Sequence, residues 1–522
     1  MSLFRMSAGH ARAGLFQAGA VFAAAALASG CGSQYRPVVT PIGTSGPPAQ
    51  PSSYAVVVSA PSPTTAGIAT IIDYSGDTVL AEAPIGPGPI NFTLDEVGGT
   101  GYTLDSDGTL SNFPISTSLQ AKNVTFSTLS ATAQPVNLFS PSAGLWIPDL
   151  SGSVVDVFTG SPQAFKLAVP VAPTPVAVIG PGSVGQRDFA ISQGNSQGGN
   201  VSSAMTCNSS PRTAPLGEAD AIETSTYSVS AHIAVGKCPV YAVQSPDSRR
   251  LFVLNRGDDT ITVINSQNDT LDSCTPFQNQ SGAWITCHPS LPLSTSAGLA
   301  GSNVPAVAGP VYAEYNAATS QLVVANYDGN TISVIDLTED EYGNDFNTYA
   351  NPTCTINGVT SYANCGAITG GFGTTYTIPV GNNPASVTVL ADGSRAYTAN
   401  QTDQTVTIVN LSGHAVEKIL PVNGHPRTVV STQNSEYGKV YAASPDSPFL
   451  TILRTDLDIV DTTILIEGNP IDVRVSTQNG SSGNNDDLSR TPGYGQPCYL
   501  PPSLEPAPTG AQTALQVCQT LP

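Results

Sequence analysis

The sequence predicts an all-β protein, a β-propeller of eight four-stranded blades, with seven as the rival count, closed by strands from both ends of the chain. Three observations carry this. The segments LFVLNRGDDTITVIN (251–265), LVVANYDGNTISVID (322–336) and AYTANQTDQTVTIVN (396–410) superpose without a gap, each with Asn at its fifth place and Thr at its tenth. β-Branched residues alternate after the Thr, so each segment reads as strand, tight turn, strand. A proline also precedes the Asn at a constant interval: Pro239 before Asn255, Pro310 before Asn326, Pro384 before Asn400. Finally, helical periodicity is almost absent. A repeated supersecondary unit buries its apolar face against its neighbours, and antiparallel units of four short strands do so by closing a ring.

The prolines punctuate the blades. Pro89, Pro135, Pro175, Pro239, Pro310, Pro384 and Pro426 each open a complete unit, whereas Pro470 is followed by one strand, Ile471 to Val475. At the other end, residues 54–60, 68–74 and 78–85 read as three strands with no first strand before them. The two termini are therefore expected to complete one blade together, which leaves the ring without free edges. The propeller is assigned to residues 54–476, and residues 477–522 to a low-complexity tail.

Residues 1–30 carry Arg5 and Arg12, an apolar run from Ala13 to Leu27, and then Ala28, Ser29 and Gly30 before Cys31. A basic start, a short apolar core and small residues form a secretory signal. Small residues just before Cys31 resemble a bacterial lipobox, which implies acylation of Cys31 and a lipid anchor. The departure from the usual pattern is Ala28, which stands where Leu is expected. Residues 31–53, rich in Gly, Ser, Thr, Pro and Gln, read as a flexible tether. Gly32 rather than Asp after the cysteine favours the outer membrane of a bacterial cell envelope as the location.

Without residues 1–30, 38 acidic against 16 basic side chains leave a net charge of −22. Such a field repels phosphate backbones, so nucleic acid is excluded as a partner and cations or basic surfaces are favoured. Besides Cys31 there are eight cysteines, an even number suited to an oxidising compartment. Their order suggests neighbouring pairs: Cys207 with Cys238, Cys274 with Cys287, Cys354 with Cys365, and Cys498 with Cys518 in the tail. Other connectivities satisfy the count as well.

The Pro-to-Asn interval, the IPVGNNP-like links and Tyr397, Thr398, Ala399 and Asn400 together resemble the YVTN family of propeller repeats. The resemblance is good over residues 228–476 and weaker over 54–227, where the Asn is mostly lost. It implies a propeller and names no ligand.

In such a ring the first strand of each blade lines the channel, and the turns between second and third strands share a face with the links between blades. That face is the candidate binding surface: Arg256, Asp258, Asp259, Tyr327, Asp328, Asn330, Asp403 and Gln404 from turns, with Lys237, Asn382, Asn383 and His425 from links. The insertions after Val263 and Val334 are expected on the opposite side. Asn255, Asn326 and Asn400 read as turn residues bonding their own backbone. Asp105, Asp107 and Gly108 resemble only the opening of a calcium loop, and a hairpin turn explains them equally. Gly194, Ser196 and Gly198 match a nucleophile elbow, and Gly180, Gly182 and Gly185 a dinucleotide loop, yet neither lies where a strand turns into a helix. His232, His288, His414 and His425 form no local ligand motif, so no metal and no cofactor are expected.

The function these features favour is non-enzymatic: a lipid-anchored extracytoplasmic propeller binding or scaffolding an envelope protein, glycan or peptide. The alternative is a lactonase-type hydrolase with a channel-mouth site drawn from Glu314, Arg427, Asp472 and Arg474.

Overall fold

In the computed structural model, the described residues are 53–477, without 63, 96–97, 116–122, 141–143, 181–186, 198–206, 208–210, 247, 273–276, 279–283, 286–287, 338–354, 357–358, 361–371, 433–434 and 437. They form an eight-bladed propeller. Blade 1 joins the two ends, in the order Val79–Pro87, Ala66–Asp73, Ser53–Ala60, Asn469–Thr477 from rim to channel. Ser53 lies opposite Thr477 and Ala60 opposite Asn469, so the last strand of the chain is the innermost strand of its first blade. The expected closure and the count of eight are both present.

Blade 2 holds Pro89–Leu94, Thr100–Asp105, Thr109–Pro114 and Thr125–Thr128. In blade 3 the strands Leu145–Asp149, Val154–Thr159 and Ala164–Pro170 are joined on the inside by an irregular segment, paired through Pro135 to Asp149 and Phe139 to Trp146. Blade 4 holds Pro175–Ile179, Arg187–Ser192, Leu216–Glu223 and Ser228–Lys237. Blade 5 follows with Pro239–Gln244, Arg250–Asn255 and Thr260–Asn265. Its fourth strand is split: Thr270–Leu271 and Ser290–Pro292 both pair with the third, so the insertion interrupts that strand instead of extending the turn before it. Blade 6 holds Pro310–Asn316, Gln321–Asn326, Thr331–Asp336 and Thr375–Pro379. Blade 7 holds Pro384–Val389, Arg395–Asn400, Thr405–Asn410 and Ala415–Pro421, and blade 8 Thr428–Ser431, Lys439–Ala443, Phe449–Arg454 and Ile459–Leu465.

The prolines act at the entrance of the inner strand. Pro89, Pro239, Pro310 and Pro384 lie opposite Asp105, Asn255, Asn326 and Asn400, and in each case the register slips by one residue immediately afterwards. A proline has no N–H to give the ladder, so it fits the first residue of a strand and a bulge beside it. Burial then falls from channel to rim. Pro239–Gln244 and Pro384–Val389 are buried throughout, whereas Ala415–Pro421 is exposed at nearly every position.

Apolar contacts seal each blade to the next. Ile71 with Phe92 lies in the cluster between blades 1 and 2, Leu104 with Ile147 between 2 and 3, Tyr397 with Val440 between 7 and 8, and Val57 with Ile452 between 8 and 1. A continuous belt runs through blades 3 to 7, including Trp146, Phe189, Phe252, Val323 and Val387. No helix among the described residues is long and apolar enough to cross a membrane.

Candidate functional site

The recurrent Asn is a lock inside the blade, not a turn residue bonding its own backbone. Asn255 Nδ2 donates to Thr260 Oγ1 at 3.2 Å and Thr262 Oγ1 at 2.8 Å, both on the next strand. Asn326 does the same with Thr331 at 3.0 Å and Ser333 at 2.9 Å, and Asn400 with Thr405 at 3.0 Å and Thr407 at 2.7 Å. All three side chains are fully buried. The link glycine lies against the Asn: a Cβ on Gly236 would stand 2.5 Å from Asn255 Cγ, and one on Gly381 2.6 Å from Asn400 Cγ. Asn, the hydroxyls at five and seven places beyond it, and the link glycine therefore form one device.

The turn aspartates form a second device. Asp258 accepts the Lys237 N–H at 2.7 Å, Asp403 the Asn382 N–H at 2.6 Å, Asp446 the His425 N–H at 2.7 Å and Asp149 the Gln134 N–H at 2.7 Å. In each case a turn carboxylate fastens the link that enters its own blade. Such charge-assisted bonds to backbone are among the stronger hydrogen bonds.

The carboxylate clasp takes up Asp258, Lys237, Asp403, Asn382 and His425 of the expected binding surface, and other contacts hold much of the remainder. Asp259 is fully buried, held by both terminal Arg212 guanidinium nitrogens at 2.7 and 3.0 Å and by the N–H groups of Ala308 and Gly309. Burial pushes its carboxyl up, but Arg212 and the Gly309 N–H outweigh that and hold it below the usual range. Arg256 is also buried; it pairs with Asp328 at 2.7 Å and lies over the Tyr327 ring. Tyr327, itself buried, donates its hydroxyl to Gln401 at 3.2 Å. Asn330 accepts the Asn383 N–H at 2.9 Å, and Gln404 meets the His425 ring at 3.2 Å. His425 bonds Asp446 through its other ring nitrogen at 2.5 Å. Thr402, Asp403, Gln404 and Asn382 remain exposed.

Part of this face is covered by the turn between the second and third strands of blade 4, an insertion the sequence did not place there. Its Arg212 reaches Asp259 of blade 5, and the Cys207–Cys238 disulfide ties it to the link entering that blade. That pair is one of the four suggested by sequence order. Cys31, Cys274, Cys287, Cys354, Cys365, Cys498 and Cys518 and the signal lie outside the described residues, as do the tether up to residue 52 and the tail from residue 478, while Ser53 and Thr477 belong to blade 1.

The channel-mouth candidates are occupied with structural work. Glu314 accepts the Val389 N–H, bridging blades 6 and 7. Asp472 accepts the Val473 N–H at 2.8 Å and pairs with Arg474 at 3.1 Å. Arg427 is buried at the start of blade 8. Tyr241 and Tyr312 stack nearby with ring centroids 4.9 Å apart.

The structure also assembles a group that no local motif marks. Glu218 and Asp220, two residues apart on one strand, point the same way, and the next strand places His232 opposite Asp220. His232 Nδ1 lies 2.8 Å from Glu218 Oε1 and 2.6 Å from Asp220 Oδ1. Both carboxylates are buried, while the His232 side chain is 52% exposed. Burial and the adjacent Glu218 push Asp220 up to about 7. Burial lowers the His232 imidazole, but the two carboxylates outweigh this and raise it. The signal available in the sequence was Glu-x-Asp on a strand followed by a hairpin, but only the pairing register brings His232 to it.

No protein-family model matches the chain, and no curated protein matches it. Among solved structures the chain is similar to apo AztD from Citrobacter koseri, at 12% identity over 82% of this chain and 99% of that one, with a TM-score of 0.53. It is also similar to the dihydro-heme d1 dehydrogenase NirN in complex with DHE, at 13% identity over 82% of this chain and 77% of that one, with a TM-score of 0.51. A likeness at this identity is one of fold alone, and a propeller hosts many functions.

Proposed function

We propose that this chain is a lipid-anchored extracytoplasmic propeller of the cell envelope that binds a protein, glycan or peptide partner on its turn-and-link face and catalyses no reaction. The observation that carries this reading is the state of the channel carboxylates. Glu314 and Asp472 each accept a backbone N–H, and Asp472 also pairs with Arg474. A general base must reach its substrate's proton, and carboxylates committed to a blade-bridging N–H (Glu314) or to the backbone and Arg474 of their own strand (Asp472) are poorly placed to do so. The exposed Asp403 and Asn382, by contrast, are fixed by their mutual clasp, Thr402 by Asn383 and Gln404 by His425, so they present hydrogen-bonding groups at little entropic cost on binding.

The test measures binding of the purified full chain to glycan and peptide arrays, beside hydrolysis of a panel of sugar lactones. Binding that Asp403→Ala weakens at least tenfold, with the protein still folded, supports the reading. Lactone turnover well above the buffer rate would replace it with the hydrolase alternative. For the anchor, metabolic labelling with palmitate should mark the wild type and fail on Cys31→Ser; labelling that persists in that variant removes the lipid anchor from the proposal.

A further inference from the structure

Blade 4 lacks the lock that blades 5 to 7 use. Where blade 5 pairs Asn255 with Thr260, blade 4 pairs Ser192 with Glu218; where Val253 faces Thr262, Ala190 faces Asp220. Two neutral hydroxyls are thus replaced by two carboxylates at the same places. The cost of burying two adjacent negative groups is high unless cations or donors compensate. Among the described residues no Lys or Arg pairs with either; their side-chain partners are each other, Ser196 and His232.

We propose that Glu218, Asp220 and His232 form a binding site for a first-row divalent transition-metal ion. The oxygens not facing His232 are already fixed. Asp220 Oδ2 accepts the Ala172 N–H at 2.5 Å, and Glu218 Oε2 accepts the Ser196 N–H at 2.9 Å and hydroxyl at 2.8 Å. With one oxygen of each carboxylate held by donors from two separate segments, the other oxygens converge on His232 Nδ1. All three ligand atoms lie within 4.8 Å of one another. Outer hydrogen bonds that aim ligands in this way are a regular part of metal sites.

The donor set selects the ion. One imidazole and two carboxylates suit Zn(II) or Mn(II), whereas calcium prefers a cage of six or more oxygens. Ligands about 2.1 Å from a tetrahedral ion stand roughly 3.4 Å apart, so His232 must draw back by less than an ångström from its present contacts. Its exposure permits that movement and gives the ion a path from solvent. Three protein ligands leave further positions for water or for a donor from a partner.

The experiment is calorimetric titration of the metal-free full chain with ZnCl2, MnCl2 and CaCl2 separately. One saturable site for Zn(II) or Mn(II), with calcium much weaker, is expected. His232→Gln should lower that affinity at least tenfold while the metal-free protein stays folded with a single cooperative thermal transition, because the glutamine amide can still donate to the carboxylates. His414→Gln, on a different blade, should leave it unaltered. Absence of saturable transition-metal binding in the wild type, or equal affinity in His232→Gln, overturns the proposal.

Discussion

At the scale of single residues, Asp105 shows what the interior of a blade selects. It occupies in blade 2 the place that Asn255 holds in blade 5, opposite the opening proline, and receives hydroxyl donors from Thr103 at 2.9 Å and Ser111 at 2.6 Å. Burial lifts its carboxyl to about 7 despite those donors. A group that prefers its proton in the folded state contributes stability below the unfolded carboxylate range, and that contribution is lost as pH rises through the folded value. Urea unfolding should therefore show wild-type stability falling by a few kcal/mol between about pH 4 and pH 7 through this group. Asp105→Asn should flatten that part of the profile and be the more stable protein at pH 8; an unchanged profile would remove Asp105 as its source. The same comparison shows how far residues could be read from the sequence. The recurrence of Asn255, Asn326 and Asn400 was plain, but a repeat does not reveal where a side chain points. A turn role and a lock role leave the same pattern in the chain.

Among elements, the lock joins a link to a strand, and its parts should be energetically coupled. Gly381→Ala places a Cβ 2.6 Å from Asn400 Cγ, and Asn400→Ala removes two buried hydrogen bonds. Each is expected to cost about 1–3 kcal/mol. In the double variant the second change should cost less, because the added methyl enters the space the amide leaves. A double-mutant cycle by chemical denaturation reads this directly, and strict additivity would show that the two do not share a site. Strand positions were legible for a related reason: Pro-to-Asn spacing and alternation are local, and they located the inner and middle strands of blades 5 to 7. Blade 3 was harder, since among the described residues its innermost segment pairs with its neighbour through isolated bridges at Pro135 and Phe139 and not as a regular strand. The covering of blade 5 by Arg212 depends on a long-range disulfide and ion pair, which no window of sequence contains.

For the whole molecule, the decisive feature is that blade 1 is made from both ends. Ending the chain at Gly468 removes Asn469–Thr477 and leaves Ser53–Ala60 as a bare inner edge, with the contacts of Val473 and Val475 to blades 8 and 1 lost. Exposed strand edges recruit other chains. The truncated protein is expected to elute as aggregate on size exclusion, while removal of residues 478–522 alone leaves a monodisperse ring; a folded, monodisperse protein ending at 468 would show that the closing strand is dispensable.

Closure also orients the molecule. Ser53 and Thr477 are paired neighbours, and the strand from Ser53 runs to Ala60, where the turn toward Ala66–Asp73 begins on the turn-and-link side. Chain entry and exit thus lie together on the other side of the disc. The surface carrying Asp403 and His425 therefore faces away from the points where the described chain enters and leaves the ring, like the front of a shield whose handle is a single blade.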